Sequence, residues 1–457
     1  MVKNVIVLGG AYGGGRAARL LAQGLPKTHR VVIVDKNDHF NHLYLFPRYG
    51  VVPGHADKAF IPDLDFFNGP LFAQTGAVSG QSADDSFPVN APIIVHATAT
   101  KITHGFIEVD EDVTANNTTV CLADLAEGRA GASSHTDAMR KSLTVQPRSA
   151  KDVLARRRIP YDYLVYATGC EMPRALAMDG RTKEKGVNYL NVQCETIARA
   201  KNILVAGAGA LGIQYATDIA ELYNNPAYAS IRPAGPSKNI TIVHSRPRFL
   251  PIYKTAMHDA ILKRMDDLGV NVVLDDRVEV PSEDILRKME ANSRRRYTHT
   301  VRTRKGKEIE ADLVLVCTGQ KPNSQLLRKF APDSLDEWGF VRTEKTMRAH
   351  ELPKVFAVGD VAEAGAVKAG HTAWNMGTIA ADNIIALVKG ADEKELQHYT
   401  PTPPMIKVTL GMQHGVAETL KAGVAETVVV ESEDGLVEGH WEIIWRSRGA
   451  DPTDPSR

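Results

Sequence analysis

One local pattern occurs twice in this chain of 457 residues. Val5-Ile6-Val7-Leu8-Gly9-Gly10-Ala11-Tyr12-Gly13-Gly14 and Ile203-Leu204-Val205-Ala206-Gly207-Ala208-Gly209-Ala210-Leu211-Gly212 each run apolar residues into a glycine-rich turn, then into helix-forming sequence. A buried strand, a tight turn and a helix starting at that turn aim backbone N–H groups and the positive end of a helix dipole at one point. That is the geometry that holds a dinucleotide's diphosphate. Two such cradles predict an α/β chain with two Rossmann-like nucleotide-binding domains. Two dinucleotides in one chain imply that electrons pass between them.

The segments around each turn fit that expectation. A second apolar strand over 31–34 ends at Asp35, 21 residues after Gly14 and followed by Lys36, where a carboxylate can accept hydrogen bonds from a ribose diol. Ala11 stands where the fingerprint has its middle glycine, which brings a methyl to the place of closest backbone approach, and Gly13 is expected to face the diphosphate. The strand over 163–166 runs into Ala167-Thr168-Gly169, and the strand over 312–317 runs into Thr318-Gly319. That repetition suggests a duplicated architecture. A third segment, Val355-Phe356-Ala357-Val358-Gly359-Asp360, precedes a helix expected over 372–388.

The pattern divides the chain into a discontinuous first domain (1–170 and 317–395), a second domain (171–316) and a small C-terminal segment (396–457). Residues 89–120 alternate apolar and polar and read as short antiparallel strands. Residues 122–158, rich in Gly, Ala, Ser and Arg, read as a surface insertion, and 449–457 as a frayed end.

Composition excludes several function classes. A formal net charge of +1 gives no field that would gather nucleic acid, and no apolar run approaches the ~20 residues of a membrane span. The four cysteines (Cys121, Cys170, Cys194, Cys317) are scattered singly, so no local redox dithiol exists, and no Cys/His spacing suggests a metal. Single cysteines and a strand beginning almost at the N-terminus point to a cytoplasmic protein.

With these segments in place, the chain resembles the FAD/NAD(P)-binding pyridine nucleotide oxidoreductases. Within them it is most similar to the apoptosis-inducing-factor-like branch that holds the AMID and ferroptosis suppressor proteins, and to its fungal AMID-like members in particular. The matching pieces are 9–14, Asp35-Lys36 with Phe40 and His42, 58–62, Ala167-Thr168-Gly169, 207–212, Thr318-Gly319 with Pro322-Asn323, and 355–360. The resemblance implies FAD on the first domain and NAD(P)H on the second, with hydride passing to a quinone-like or other small electron acceptor. It assigns Asp360 to the ribityl hydroxyls and Asp35 to the adenosine ribose. Lys368, Gly370 and His371 precede the helix that points at the flavin. His371 is open to two readings, a proton shuttle or a helix-end residue. The family's Gly-Val-Glu becomes Gly212-Ile213-Gln214, which keeps a hydrogen-bonding amide near the nicotinamide and removes a charge. Peripheral membrane contact, and monomer or homodimer, are left open.

Two further readings compete with the flavin oxidoreductase: a tailoring flavoenzyme of secondary metabolism, and an NAD(P)H-sensing interaction protein. The strand over 240–243 ends in His244-Ser245-Arg246-Pro247-Arg248, with no carboxylate to repel a 2′-phosphate. The two guanidinium groups of Arg246 and Arg248, beside His244, therefore predict that NADPH serves at least as well as NADH.

Overall fold

A computed structural model describes residues 2–62, 66–67, 90–110, 157–291, 298–421, 426–433 and 435–456. The chain starts with β1 (Lys3–Leu8), α1 (Tyr12–Gly24) and β2 (His29–Asp35), followed by β3 (Ile93–His96) and β4 (Tyr163–Tyr166). Helix α2 (Lys183–Arg199) leads into β5 (Asn202–Ala206), α3 (Ala210–Asn224), β6 (Asn239–Val243), α4 (Thr255–Asp267), β7 (Asn271–Val273) and β8 (Leu313–Val316). The chain returns through β9 (Val355–Ala357) and α5 (Gly370–Val388). It ends in β10 (Ile406–Thr409), β11 (Gly415–Leu420), β12 (Thr427–Ser432) and α6 (Trp441–Ser447).

Two parallel sheets carry the cradles. The first has the order β9-β4-β1-β2-β3, the second β7-β6-β5-β8. β1, β2, β5 and β8 are almost continuously apolar because parallel strands covered on both faces must be. α1 and α5 lie together over the first sheet at a contact only glycine permits. A Cβ on Gly377 would fall 2.3 Å from the Gly13 carbonyl oxygen.

Two expectations are corrected. Residues 93–96 add a parallel strand to the edge of the first sheet, in register with β2 and with Ile93 and Val95 buried in its core. Within the described part of 89–120, the strands at 99–102 and 106–109 do pair antiparallel, and 158–160 joins them on the other side of 106–109. Thr118–Val120 and most of the expected insertion lie outside the described residues. The end of the chain is not frayed as far as it is described: Pro452 is buried and Lys183 Nζ donates to the Pro455 carbonyl at 2.5 Å. Among the described residues, no helix is long and apolar enough to cross a membrane.

The C-terminal segment touches both halves. Its antiparallel sheet β10-β11-β12 buries Val408, Leu410, Met412 and Val416 in the core of the second half. Helix α6 then crosses to the first half, where Trp441 and Trp445 close a small core with Phe40 and Ile61. A buried ion pair marks the junction. Arg48, on the first half, makes two bonds to Asp218 of α3 (2.8 and 3.0 Å) and donates to the carbonyls of Gly411, Met412, Leu436 and Val437.

Candidate functional site: two matched nucleotide cradles

The two turns repeat each other bond for bond. Gly9 and Gly207 adopt φ of +101° and +105°, a region open to glycine. Gly9 N–H donates to Val34 O at 2.8 Å, and Gly207 N–H to Val243 O at 2.9 Å. The outgoing strands close on them alike, with Ala167 N–H to Leu8 O and Cys317 N–H to Ala206 O, both 2.9 Å. A Cβ on Gly14 would sit 1.9 Å from Gly9 O, and one on Gly212 1.9 Å from Gly207 O. These glycines let each helix start directly on its turn.

Each helix also begins without a partner of its own. α1 has Ala11 and α3 has Gly209 at the N-cap, neither supplies a side-chain cap, and neither first turn holds an acid. The first-turn N–H groups of a helix have no intrahelical acceptor, so both ends are built for an outside anion. The Ala11 methyl is exposed and does not fill the turn. This donor set fits the diphosphate of FAD at one turn and of NAD(P)H at the other.

Gly13 is a correction. The space beyond it belongs to α5, not to a phosphate, since an added Cβ would meet the Ala373 carbonyl oxygen at 2.9 Å.

The cradles differ at the end of the second strand. Asp35 takes the Gly10 N–H on Oδ2 at 2.7 Å and the Asn37 N–H on Oδ1 at 2.9 Å, while Lys36 is exposed. At the matching place His244 accepts the Ala208 N–H on Nδ1 at 3.3 Å. With Nδ1 as acceptor, the ring hydrogen sits on Nε2, which is buried and makes no hydrogen bond. Burial first, and the nearby Arg246 charge second, hold the imidazole below its ordinary pKa, so it is a neutral donor. Arg246 is exposed, but the expectation of a second guanidinium there is corrected, because Arg248 is committed to Thr255 Oγ1 and Pro251 O, both at 2.7 Å.

A second cluster lies where the chain passes between halves. The segments after the two Thr-Gly turns pair as a short antiparallel ribbon, Cys170–Glu171 with Lys321–Pro322. Asn323 ties it down: its carbonyl accepts from Thr168 Oγ1 and Tyr166 OH, both at 2.7 Å, and its amide donates to Thr168 O at 2.9 Å. Gly169 and Gly319 turn with positive φ, and Thr318 and Gly319 are exposed. Asp360, after the left-handed Gly359, accepts from Gln320 Nε2 at 3.4 Å. Burial pushes its carboxyl above the usual range, and the Lys368 charge pulls it back.

The three residues assigned to chemistry lie in the following surroundings. Lys368 Nζ donates to Ala362 O and lies 3.6 Å from Glu363 and 4.5 Å from the Phe340 ring centroid. His371 is the second residue of α5; its Nε2 is buried without a hydrogen bond, and burial lowers its pKa. Gln214 donates to Thr409 Oγ1 of the C-terminal sheet at 3.0 Å.

On the wall of the first cradle, Tyr12, Phe40 and His42 were named from the sequence, but Tyr44 and Arg448 were missed. Tyr44 OH accepts the Gly370 N–H at 2.7 Å, at the start of α5. Tyr12 OH lies 3.0 Å from His42 Nδ1, and its ring packs edge-on against Phe40 at 5.0 Å and Tyr44 at 5.5 Å. Arg448 donates to Gly10 O at 3.2 Å. These pairs span up to 438 positions, so no local signal could have joined them.

Comparison with known proteins agrees with this geometry. The model of the pyridine nucleotide-disulphide oxidoreductase family matches residues 3–377. The Fe-regulated protein 8 of Mycosarcoma maydis is 31% identical, over 99% of this chain and 96% of its own. Human ferroptosis suppressor protein 1 is 27% identical over 63% of this chain and 73% of its own. An FAD-dependent oxidoreductase of Flammulina velutipes is 28% identical, over 57% and 72%. Among solved structures, the sulfide:quinone oxidoreductase of Aquifex aeolicus has the same fold, with a TM-score of 0.65 at 12% identity, covering 98% of this chain and 92% of its own. The chain is therefore an FAD- and NAD(P)H-dependent oxidoreductase of the pyridine nucleotide-disulphide oxidoreductase family, on its apoptosis-inducing-factor-like branch.

Proposed function

We propose that the first cradle holds FAD, the second holds NAD(P)H, and that the enzyme reduces a small quinone-like acceptor. The observation that carries this is the bond-for-bond repetition of the turns around Gly9 and Gly207. FAD, when bound, supplies a two-electron carrier between nicotinamide and acceptor. In this reading the 9–14 turn, with Gly10, Ala11 and Tyr12 on its outer side, binds the FAD diphosphate. Asp35 and Lys36 flank the adenosine ribose, and Gly359 and Asp360 the ribityl chain. Ala167-Thr168-Gly169 and Thr318-Gly319 line the path between the nucleotides. Gly207, Gly209 and Gly212 hold the second diphosphate, and His244 with Arg246 its adenosine ribose. Lys368, His371 and Gln214 are the candidates for orienting the reacting rings.

A small acceptor suits the thiols. Cys170 Sγ donates to Asp360 O at 3.4 Å and Cys194 Sγ to Val51 O at 3.3 Å. Burial raises Cys170 to about 12, Cys194 to about 11, and Cys317 further, so none is a thiolate at neutral pH. Among the described residues no two of them pair. The test is NAD(P)H oxidation by the purified flavoprotein against a panel of quinones. Turnover that a quinone accelerates supports the reading, and indifference to every quinone refutes the acceptor.

A further inference from the structure

The family match ends at residue 377, yet the chain's last helix packs against the first cradle. Trp445 Nε1 donates to Lys58 O at 2.9 Å, and Arg19 Nη1 to Ser447 O at 2.5 Å. Just past that helix, Arg448 is 8% exposed, and its guanidinium lies over Phe40 at 4.0 Å and Phe66 at 4.5 Å. Nη2 donates to the carbonyl of Gly10 at 3.2 Å, while Nη1 lies 3.2 Å from where a Cβ on Gly15 would stand.

Gly10 is thus held at both ends, its N–H by Asp35 and its carbonyl by Arg448. The peptides that follow carry the N–H groups that open α1. A glycine turn is soft, and fixing it before a ligand arrives removes part of the ordering cost of binding. The Arg448 charge also reaches the cradle wall, where it acts on both His42 and Tyr12.

We propose that the C-terminal segment completes the first cradle, with Arg448 as a positioning residue for FAD. It fixes the Gly10 peptide and places a cation behind the turn that receives the diphosphate. The inference rests on the reading that this cradle carries FAD.

The test is the rate at which holoenzyme releases FAD, followed by flavin fluorescence after dilution. Arg448→Met should release FAD about tenfold to a hundredfold faster, the scale of a hydrogen bond from a charged group. Arg448→Lys, which keeps the charge, should stay within about fivefold of the wild type. The Michaelis constant for NADPH, measured with FAD saturating, should not change in either. If Arg448→Met does not fold, Arg448→Gln, neutral but still a donor, should release FAD at least about threefold faster. A neutral variant within twofold of the wild-type rate overturns the proposal. So does Arg448→Lys releasing FAD as fast as Arg448→Met, because packing alone would then be at work. Wild-type protein that takes up no FAD would instead defeat the earlier reading of the cradle.

Discussion

The two cradles share a skeleton and differ in what surrounds it. Around Gly9 and around Gly207 the same backbone bonds recur, and the same missing Cβ atoms bring helix and turn together. The first turn is clamped by a carboxylate and walled by Tyr12, Phe40, His42, Tyr44 and Arg448. The second carries a neutral imidazole at the same place and opens onto exposed Thr318, Gly319 and Arg246. A walled site suits a group that stays through many turnovers, and an open one suits a group that comes and goes with each. In the proposed reading, the shared skeleton recognises a diphosphate, and the side chains around it choose the nucleotide and its residence time.

The largest effects should come from breaking the skeleton one half at a time. Gly14→Ala and Gly212→Ala each force a Cβ to within 1.9 Å of a backbone oxygen. Overpacking against main chain, with no side chain to yield, should cost about 3 kcal/mol or more locally. Gly14→Ala should yield protein without flavin absorbance. Gly212→Ala should stay yellow but resist reduction by NADPH. Equal loss of flavin in both would show that the cradles do not act separately.

Exchanging the residue that distinguishes the cradles should have the next largest effect. His244→Asp gives the second turn the chemistry of the first and should move the NADPH/NADH ratio of kcat/KM toward NADH by about tenfold or more. Arg246→Ala should raise the Michaelis constant for NADPH about threefold to tenfold and spare NADH. Arg248→Ala should do neither, because its guanidinium is bonded within its own loop. Steady-state kinetics with both cofactors decides among these.

A smaller effect belongs to the wall of the first cradle alone. Burial, and then the Arg448 charge, depress His42 from its ordinary 6.5 to about 4. The folded state therefore favours neutral imidazole. That contribution to stability is complete above about pH 6.5 and is lost as pH falls toward 4. Thermal midpoints across that window should fall less steeply in His42→Phe than in the wild type. The smallest effect is expected at the thiols: Cys170→Ser and Cys317→Ala should leave flavin reduction by NADPH nearly unchanged.

Much of this comparison was legible in the sequence, because the decisive contacts are local. Strand, glycine turn and helix lie within ten residues of one another in each half, and period and glycine placement suffice to find them. Asp35 and His244 were legible too, since the strand after a cradle helix ends beside the turn. What failed depended on distant pairing. The strand at 93–96 looked like its antiparallel neighbours until the register with β2 settled its direction. Gly13 looked like a phosphate contact because Ala373, which it faces, lies far along the chain. The C-terminal segment carried no motif at all. Its place follows from Trp445, Arg448 and the Arg48–Asp218 pair, each meeting residues more than 150 positions away.

The central claim is that the two cradles hold two different nucleotides in redox contact. Anaerobic titration of the purified protein with NADPH, read from flavin absorbance, tests it most directly. The account predicts about one FAD per chain in the protein as isolated, bleached completely by one equivalent of NADPH, with Gly212→Ala retaining the colour and losing the bleaching. A protein that holds FAD but is not bleached by NADPH or NADH, or whose Gly212→Ala variant is bleached as fast as the wild type, would contradict it.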